Sequence, residues 1–324
     1  MAHEQIDLGI VGLGHMGGNL ALQALEKGFK VAGYTRGEID PSLTAAGLRL
    51  AGSAPELAAL LAPVRVVLLY LPAGPAVDAV LAELEPTLQP GDIVADCGNS
   101  YWGDSIRRHR RLKHRGVQYL DVGTSGGPEG ARHGACFMVG GESDAVAHTA
   151  EMFKSLAVTG GYVHAGPPGA GHFIKLVHNG IEFGMLQAIG EGIGLLENYH
   201  EALDVPGILT CWRNGSVIRS WLLELLHAAY EQESGMDRVP PCVEDTGEVN
   251  WLVDDALRME VPIPVITQSV VQLLVSRDDE RKWARAIAMM RHGFGGHPYG
   301  RDESIARLRR TSKVGKTFDP DTGD

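Results

Sequence analysis

Between residues 171 and 184 the chain reads GHFIKLVHNGIEFG. Most of this run is apolar, and Phe173, Ile174, Leu176, Val177, Ile181 and Phe183 suggest a helix meant for burial. Yet Lys175, His178, Asn179 and Glu182 fall at i, i+3, i+4 and i+7. At 3.6 residues per turn that places an amine, an imidazole, an amide and a carboxyl on one face. Buried Lys and Glu are costly unless paired or put to use. One reading is a satisfied polar seam between helices. The chemical reading is acid–base catalysis, with burial tuning Lys175 as base and Glu182 as acid while His178 and Asn179 orient a substrate. Gly169 and Gly171 allow a close approach at the helix start.

Two further runs carry polar groups just beyond apolar strands. In DVGTSGGPEGARHG, the hydroxyl of Ser125 and the amides of Gly126 and Gly127 could cradle a carboxylate, or simply form a tight turn. In DCGNSYWGDS, Asn99 could bridge a cofactor and a substrate, or only shape its turn. Both lie where ligands of open α/β sheets bind, beyond the carboxyl ends of strands.

The opening IDLGIVGLGHMGGNLALQALEKG sets Gly12, Gly14 and Gly17 in G-x-G-x-x-G spacing, after a strand and at the start of a helix. Gly12 permits the turn, Gly14 lets a pyrophosphate approach the backbone, and Gly17 lets helix and strand pack closely. Leu13, His15 and Met16 between the glycines, and Leu71 at the end of VRVVLLYL, complete the expected dinucleotide contacts with Asn99. An acid at the end of the second strand would hold ribose hydroxyls and repel a 2′-phosphate. This strand ends VAGYTRG, with Thr35 and Arg36 in that place. A hydroxyl and a guanidinium suit a phosphate, which favours NADP with NAD as the alternative. Arg36 could equally be a solvated surface side chain.

The elements around these residues follow from hydrophobic periodicity. IDLGIV, FKVAGY, VRVVLLYL, DIVADC and VQYLDV read as strands buried on both faces, with helical patterns between them. ACFMVGG and SDAVAHTAEMFKSL add a strand and a helix. Such alternation predicts an α/β Rossmann-type doubly wound parallel sheet. From the breaker cluster GPPGAG onward, helices are expected near 171–200, 204–212, 216–230, 265–276 and 278–292. The expected division is therefore a dinucleotide-binding domain over 1–165 and an all-α domain for substrate and dimerisation over 166–324. The polar tail SKVGKTFDPDTGD is expected to be mobile.

Composition narrows the class. The chain has 324 residues, 44% hydrophobic and 21% charged, ordinary for a globular protein large enough for two domains. A net charge of −11 argues against nucleic acid as partner, while leaving room for a local anion pocket. Cys97, Cys136, Cys211 and Cys242 form no C-x-x-C pair, which fits free thiols in a reducing cytoplasm. The N-terminus lacks the basic and apolar regions of a secretory signal, and no apolar run is long enough to span a membrane. The 13 histidines form no metal-binding spacing, so no metal is expected.

Together GLGHMG, DCGNS, TSGGPEGAR, GAGHFIKLVHNGIEFG, NGSVIRS and GFGGH make the chain resemble, almost end to end, the decarboxylating 6-phosphogluconate dehydrogenases in their short-chain form. The resemblance implies oxidation of 6-phosphogluconate by NADP or NAD to ribulose 5-phosphate and CO2, in the pentose phosphate pathway or gluconate utilization. It implies Lys175 as general base and Glu182 as the acid that protonates the enediol. Asn99, Ser125, Gly126, Gly127, His178 and Asn179 would hold the substrate. Arg219, Arg291 and His297 would hold its phosphate, partly across a homodimer or larger homo-oligomer.

Two positions depart from that pattern: Phe183 stands where the family has a phosphate-binding Tyr, and TGEVNW, with Glu248, replaces a lysine-bearing loop. A related aldonate is therefore a second candidate substrate. A 3-hydroxyisobutyrate-type β-hydroxyacid dehydrogenase would share Lys175, Asn179 and the SGG turn, but would have no use for His178 and Glu182. A nucleotide-binding sensor without turnover is the reading from another class, and it gives no reason to keep a buried acid and base.

Overall fold

The computed structural model describes residues 5–311. Strand β1 (Leu8–Val11) is followed by α1 (His15–Glu26), β2 (Val31–Tyr34), α2 (Pro41–Ala45), β3 (Arg49–Leu50) and α3 (Ala54–Leu60). Then come β4 (Val66–Leu69), α4 (Pro75–Leu84), β5 (Ile93–Asp96), α5 (Trp102–Lys113) and β6 (Gln118–Ser125). These six strands pair in parallel in the order β3-β2-β1-β4-β5-β6. Every residue of β1, β4 and β5 is buried, because helices cover both faces. The pleat sorts their side chains into two cores. Leu8, Ile10, Leu68 and Ala95 pack with Leu20 and Ala24 of α1, whereas Val11, Val67, Leu69 and Val94 pack with Leu57 of α3 and Leu81 of α4. Each such aliphatic side chain contributes about 1.5–3 kcal/mol when buried.

The sheet continues through α6 (Gly127–His133), β7 (Ala135–Gly140), α7 (Ser143–Leu156) and β8 (Ala157–Gly166), giving the full order β3-β2-β1-β4-β5-β6-β7-β8. Here the parallel expectation fails in part, since β7 runs antiparallel to β6 and β8 parallel to β7. Residues 126–134 are too few for a crossover, which needs about 10–12 residues, so the chain reverses instead. Strand β8 was not anticipated. It is an edge strand, Gly-rich and mostly exposed, and so lacks the apolar run that marks its neighbours.

Helices follow: α8 (Ala170–Glu197), α9 (Val205–Gly215), α10 (Trp221–Glu233), α11 (Glu248–Arg258), α12 (Pro264–Arg277), α13 (Lys282–Gly295) and α14 (Glu303–Thr311). The Asp204 carboxylate accepts from Gly207 N and starts α9, and the Ser220 hydroxyl accepts from Leu223 N. That cap is why α10 begins at 221 rather than 216. Helix α11 was not expected either; its opening TGE reads as a loop, although Val249, Leu252 and Ala256 repeat at helical spacing and are buried. The tail 312–324 lies outside the described residues.

The architecture is thus a Rossmann-type doubly wound sheet followed by helices. By internal contacts the chain forms two compact units, one running to Ile181 and including Gly247–Pro262, the other comprising Glu182–Thr246 and the chain from Ile263. In the first, α11 docks on the start of α5. Trp102 Nε1 donates to Asp255 Oδ2 at 2.6 Å, the Tyr101 hydroxyl donates to Asp255 Oδ1 at 3.2 Å, and Trp251 meets Tyr101 edge-on at 5.7 Å. In the second, Ile193, Val205, Leu209 and Leu223 form a small core. Among the described residues no helix is long and apolar enough to cross a membrane.

Candidate active site

Helix α1 is capped by Gly14, which offers no side chain to its first-turn amides. A Cβ added to Gly14 would meet nothing within 4 Å, whereas one on Gly12 would lie 2.2 Å from Tyr70 O and one on Gly17 1.9 Å from Gly12 O. The loop is thus packed hard against its own fold on one side and open on the other. Free amides at a helix N-terminus beside open space fit a pyrophosphate. Leu13 is buried, Met16 packs on the core and His15 is exposed. Leu71 is partly buried against Gly12, and a Cβ on Gly98 would meet its carbonyl at 2.7 Å. The Asn99 turn and the glycine loop therefore share the wall made by Tyr70 and Leu71. Thr35 is partly exposed, and Arg36 pairs with Glu83 of α4 at 2.6 Å.

Two elements meet the polar stripe of α8, the Asn99 turn after β5 and Ser125 at the end of β6. Lys175 Nζ donates to Asn179 Oδ1 at 2.6 Å, and Asn179 Nδ2 donates to Asn99 Oδ1 at 3.4 Å. His178 Nδ1 lies 3.4 Å from Asn179 Oδ1, and its Nε2 lies 3.2 Å from Ser125 Oγ. Asn179 is buried, while Lys175, His178, Ser125 and Asn99 are each partly exposed, as a site that admits substrate requires. Gly126 holds φ 118° and Gly127 φ 60°, the left-handed region in which a Cβ is strained, so the turn after β6 needs both glycines.

Beneath this layer lies a second set of polar groups that the sequence reading passed over. Asp121 of β6 is fully buried, and its carboxylate accepts from Gly169 N at 2.7 Å and His172 N at 2.9 Å. An anion here satisfies orphan amides of α8 and complements its dipole. Burial raises the Asp121 carboxyl above its ordinary pKa despite those bonds and the nearby His172. Helix α8 also sits unusually close to the sheet. A Cβ on Gly171 would fall 2.1 Å from Asp121 O, and one on Gly123 would fall 2.5 Å from Lys175 Cβ.

The Asn99 turn has its own support. Buried Asp96 accepts from Gly98 N at 3.1 Å, Ser100 Oγ at 2.8 Å, the Tyr119 hydroxyl at 2.8 Å and Arg108 Nη1 at 3.3 Å. Arg108, itself fully buried, also donates to Asp78 and to Gly74 O. Burial pushes the Asp78 carboxyl up, but hydrogen bonds from Arg108 and Arg107 outweigh it and bring it to about 2. Asp96 and Asp121 were detectable, since an acid at the end of an apolar strand or inside one demands partners. Nothing in the strongly basic run of α5 singles out Arg108 as the buried one.

Glu182, Arg219, Arg291 and His297 belong to the second unit. Glu182 follows Lys175 by two turns along α8 and is partly exposed. Arg219 lies between α9 and α10, exposed, with Nη1 3.4 Å from Ser216 O. Arg291 is exposed on α13, and His297 follows that helix, its carbonyl 2.9 Å from His292 Nδ1. Phe183 is partly exposed and Glu248 opens α11. The expected burial of the apolar flank of α8 holds only on one side. Leu176 is buried, but Ile174 is 37% exposed and Ile181 53%, because the sheet covers only the face toward β6 and β7.

Residues 7–166 match the NAD binding domain of 6-phosphogluconate dehydrogenase, and residues 171–317 match its C-terminal domain. YqeC of Bacillus subtilis is 41% identical over 292 residues, covering 90% of this chain and 98% of that one. The NAD(+)-dependent, decarboxylating 6-phosphogluconate dehydrogenase of Haloferax volcanii is 39% identical over 302 residues, covering 92% and 100%. Among solved structures, Plasmodium falciparum 6-phosphogluconate dehydrogenase superimposes with TM-score 0.76 at 27% identity, over 91% of this chain and 66% of that longer one. A 3-hydroxyisobutyrate dehydrogenase from Salmonella typhimurium, at TM-score 0.71 and 22% identity over 85% of this chain and 95% of that one, shares the fold. On the two domain matches and on relatives aligned over nearly their whole length, the chain belongs to the 6-phosphogluconate dehydrogenase family.

Proposed function

We propose that this chain oxidises 6-phosphogluconate with NADP or NAD and decarboxylates it to ribulose 5-phosphate and CO2. The observation that carries the reading is the hydrogen-bonded line Lys175–Asn179–Asn99, joined to Ser125 through His178, beside an open dinucleotide loop. When bound, the nicotinamide accepts the hydride from C3. Lys175 takes the C3 hydroxyl proton as that hydride leaves. The resulting 3-keto acid breaks its C1–C2 bond, releasing CO2, while the Lys175 ammonium returns a proton to the C3 oxygen. Glu182 then protonates the former C2 of the enediol. Asn179 holds the Lys175 amine in place, and Asn99, Ser125, Gly126, Gly127 and His178 hold the sugar acid. Glu182 and His178 favour this chemistry over simple β-hydroxyacid oxidation, which has no enediol to protonate.

Arg219, Arg291 and His297 bind the substrate phosphate in a homodimer or larger assembly. Exposed apolar side chains support assembly: in the first unit Ile181, and in the second Leu195 at 76%, Val265 at 69% and Phe294 at 78%. The functional division falls near residue 165, where β8 gives way to α8. The thiols fit a cytoplasmic setting. The test is reduced-nicotinamide formation with 6-phosphogluconate and with gluconate, recording CO2. Reduction with matching CO2 from 6-phosphogluconate alone is expected; reduction without CO2, or only with gluconate, would refute the reading.

A further inference from the structure

In a dinucleotide fold the carboxylate that rejects a 2′-phosphate normally closes the second strand. Here that strand ends at Tyr34, and Thr35 and Arg36 follow, with no acid in place. An acid is nevertheless present. Glu83, near the end of α4, places Oε1 2.6 Å from Arg36 Nη2, and the two side chains are 38% and 63% exposed. The Tyr34 hydroxyl lies on the same guanidinium. Arg36 is therefore neutralised by the protein's own carboxylate at the spot where its charge would meet the extra phosphate of NADP.

We infer that Glu83 is a specificity-determining residue for the nicotinamide cofactor, occupying Arg36 in place of a 2′-phosphate and tilting the enzyme toward NAD. The inference rests on the nicotinamide-dependent reading above and deepens it. To bind NADP, Arg36 must leave Glu83 or hold the phosphate with Glu83 still alongside. A carboxylate roughly 5 Å from a phosphate bearing nearly two charges weakens its binding by about tenfold at water-like dielectric. NAD, with only hydroxyls at that ribose, escapes this repulsion. The pair is solvent-exposed, so its attraction is modest and Arg36 can be released by substitution.

The test uses the full-length protein with Glu83→Gln, and with Glu83→Ala as a second variant. Calorimetric titrations with 5′-AMP and 2′,5′-ADP read the nucleotide site without any turnover. The ratio of kcat/KM for NADP to that for NAD reads it in the working enzyme. Both variants are expected to raise that ratio and the affinity for 2′,5′-ADP by about 5–20-fold, with 5′-AMP affinity moving far less. Adding Arg36→Gln to Glu83→Gln should erase the gain. A ratio within twofold of wild type, or equal shifts for both nucleotides, overturns the inference. Because the titrations need no sugar acid, they decide the matter even if 6-phosphogluconate proves not to be the substrate.

Discussion

The His172 ring spans two parts of the candidate site: its Nε2 lies 3.1 Å from the carbonyl of Asp96, and its Nδ1 lies 2.7 Å from Ser105 Oγ. A carbonyl only accepts, so Nε2 carries a proton and donates it to Asp96 O, while Nδ1 shares a hydrogen bond with the Ser105 hydroxyl. His172 sits one turn before Lys175 on α8, while Asp96 opens the turn that carries Asn99. One buried imidazole thus sets the register between proposed base and proposed substrate ligand.

Removing the ring should loosen that register. His172→Ala leaves the Asp96 carbonyl and the Ser105 hydroxyl without this partner, at about 1–3 kcal/mol for each buried group. We expect kcat to fall about 10–100-fold, since small misplacement of reacting groups costs about that much, with KM less affected. His172→Gln, which can still donate toward Asp96, should recover part of the loss. Thermal unfolding beside steady-state kinetics separates the two effects; a variant that loses stability but keeps kcat would deny the positioning role.

Lys175→Met removes the amine and keeps most of the stem. The rate of nicotinamide reduction should drop by about 10²–10⁴. Nucleotide affinity, measured by titration without sugar acid, should persist, because the glycine loop is built from other residues. Comparable turnover in the variant would remove Lys175 from the chemistry.

The Asp78–Arg108 pair makes a pH prediction whose sign is fixed. Asp78 falls from an ordinary 3.8 to about 2 in the folded chain. Its ionised form is thus favoured by folding, and its contribution is complete above about pH 4 and lost as pH falls toward 2. With its side chain 29% exposed, the contribution is about 1–2 kcal/mol after solvent screening. Denaturant midpoints at pH 6 and pH 3 should differ less in Asp78→Asn than in wild type. Equal acid sensitivity in both would show that the pair does not carry this effect.

The sequence displays what repeats and hides what is singular. Buried runs such as VVLL of β4 and the glycine spacing after β1 announce a doubly wound sheet because every turn of the alternation leaves the same apolar mark. The stripe of α8 is legible for the same reason: helical spacing alone puts Lys175, His178 and Asn179 together. Strand β8 stays hidden because an exposed edge needs no apolar run. The support from Arg108 is hidden more deeply. It is one of several arginines on α5, and only the tertiary placement of Asp78 and Asp96 selects it. Arg36 presents the same problem in reverse, since its counter-ion Glu83 lies 47 residues away.

Gly123 offers a direct test of how tightly chemistry depends on packing. Its missing side chain is what lets Lys175 rest on β6, because a Cβ there would stand 2.5 Å from Lys175 Cβ. Gly171, by contrast, abuts backbone, with a Cβ there 2.1 Å from Asp121 O and 2.6 Å from Met138 O. Backbone cannot rotate away, so Gly171→Ala should destabilise by about 1–3 kcal/mol or more and lower the unfolding temperature sharply. Gly123→Ala meets the root of the Lys175 side chain first and the Gly171 carbonyl less closely, at 2.9 Å, and both give only if the helix shifts. We expect a smaller loss of stability and a larger fall in kcat, because the shift moves Lys175 and Asn179 together away from Asn99 and Ser125. The pair of unfolding temperatures and kcat values decides it: if Gly123→Ala keeps full kcat, the close contact at Lys175 serves packing alone.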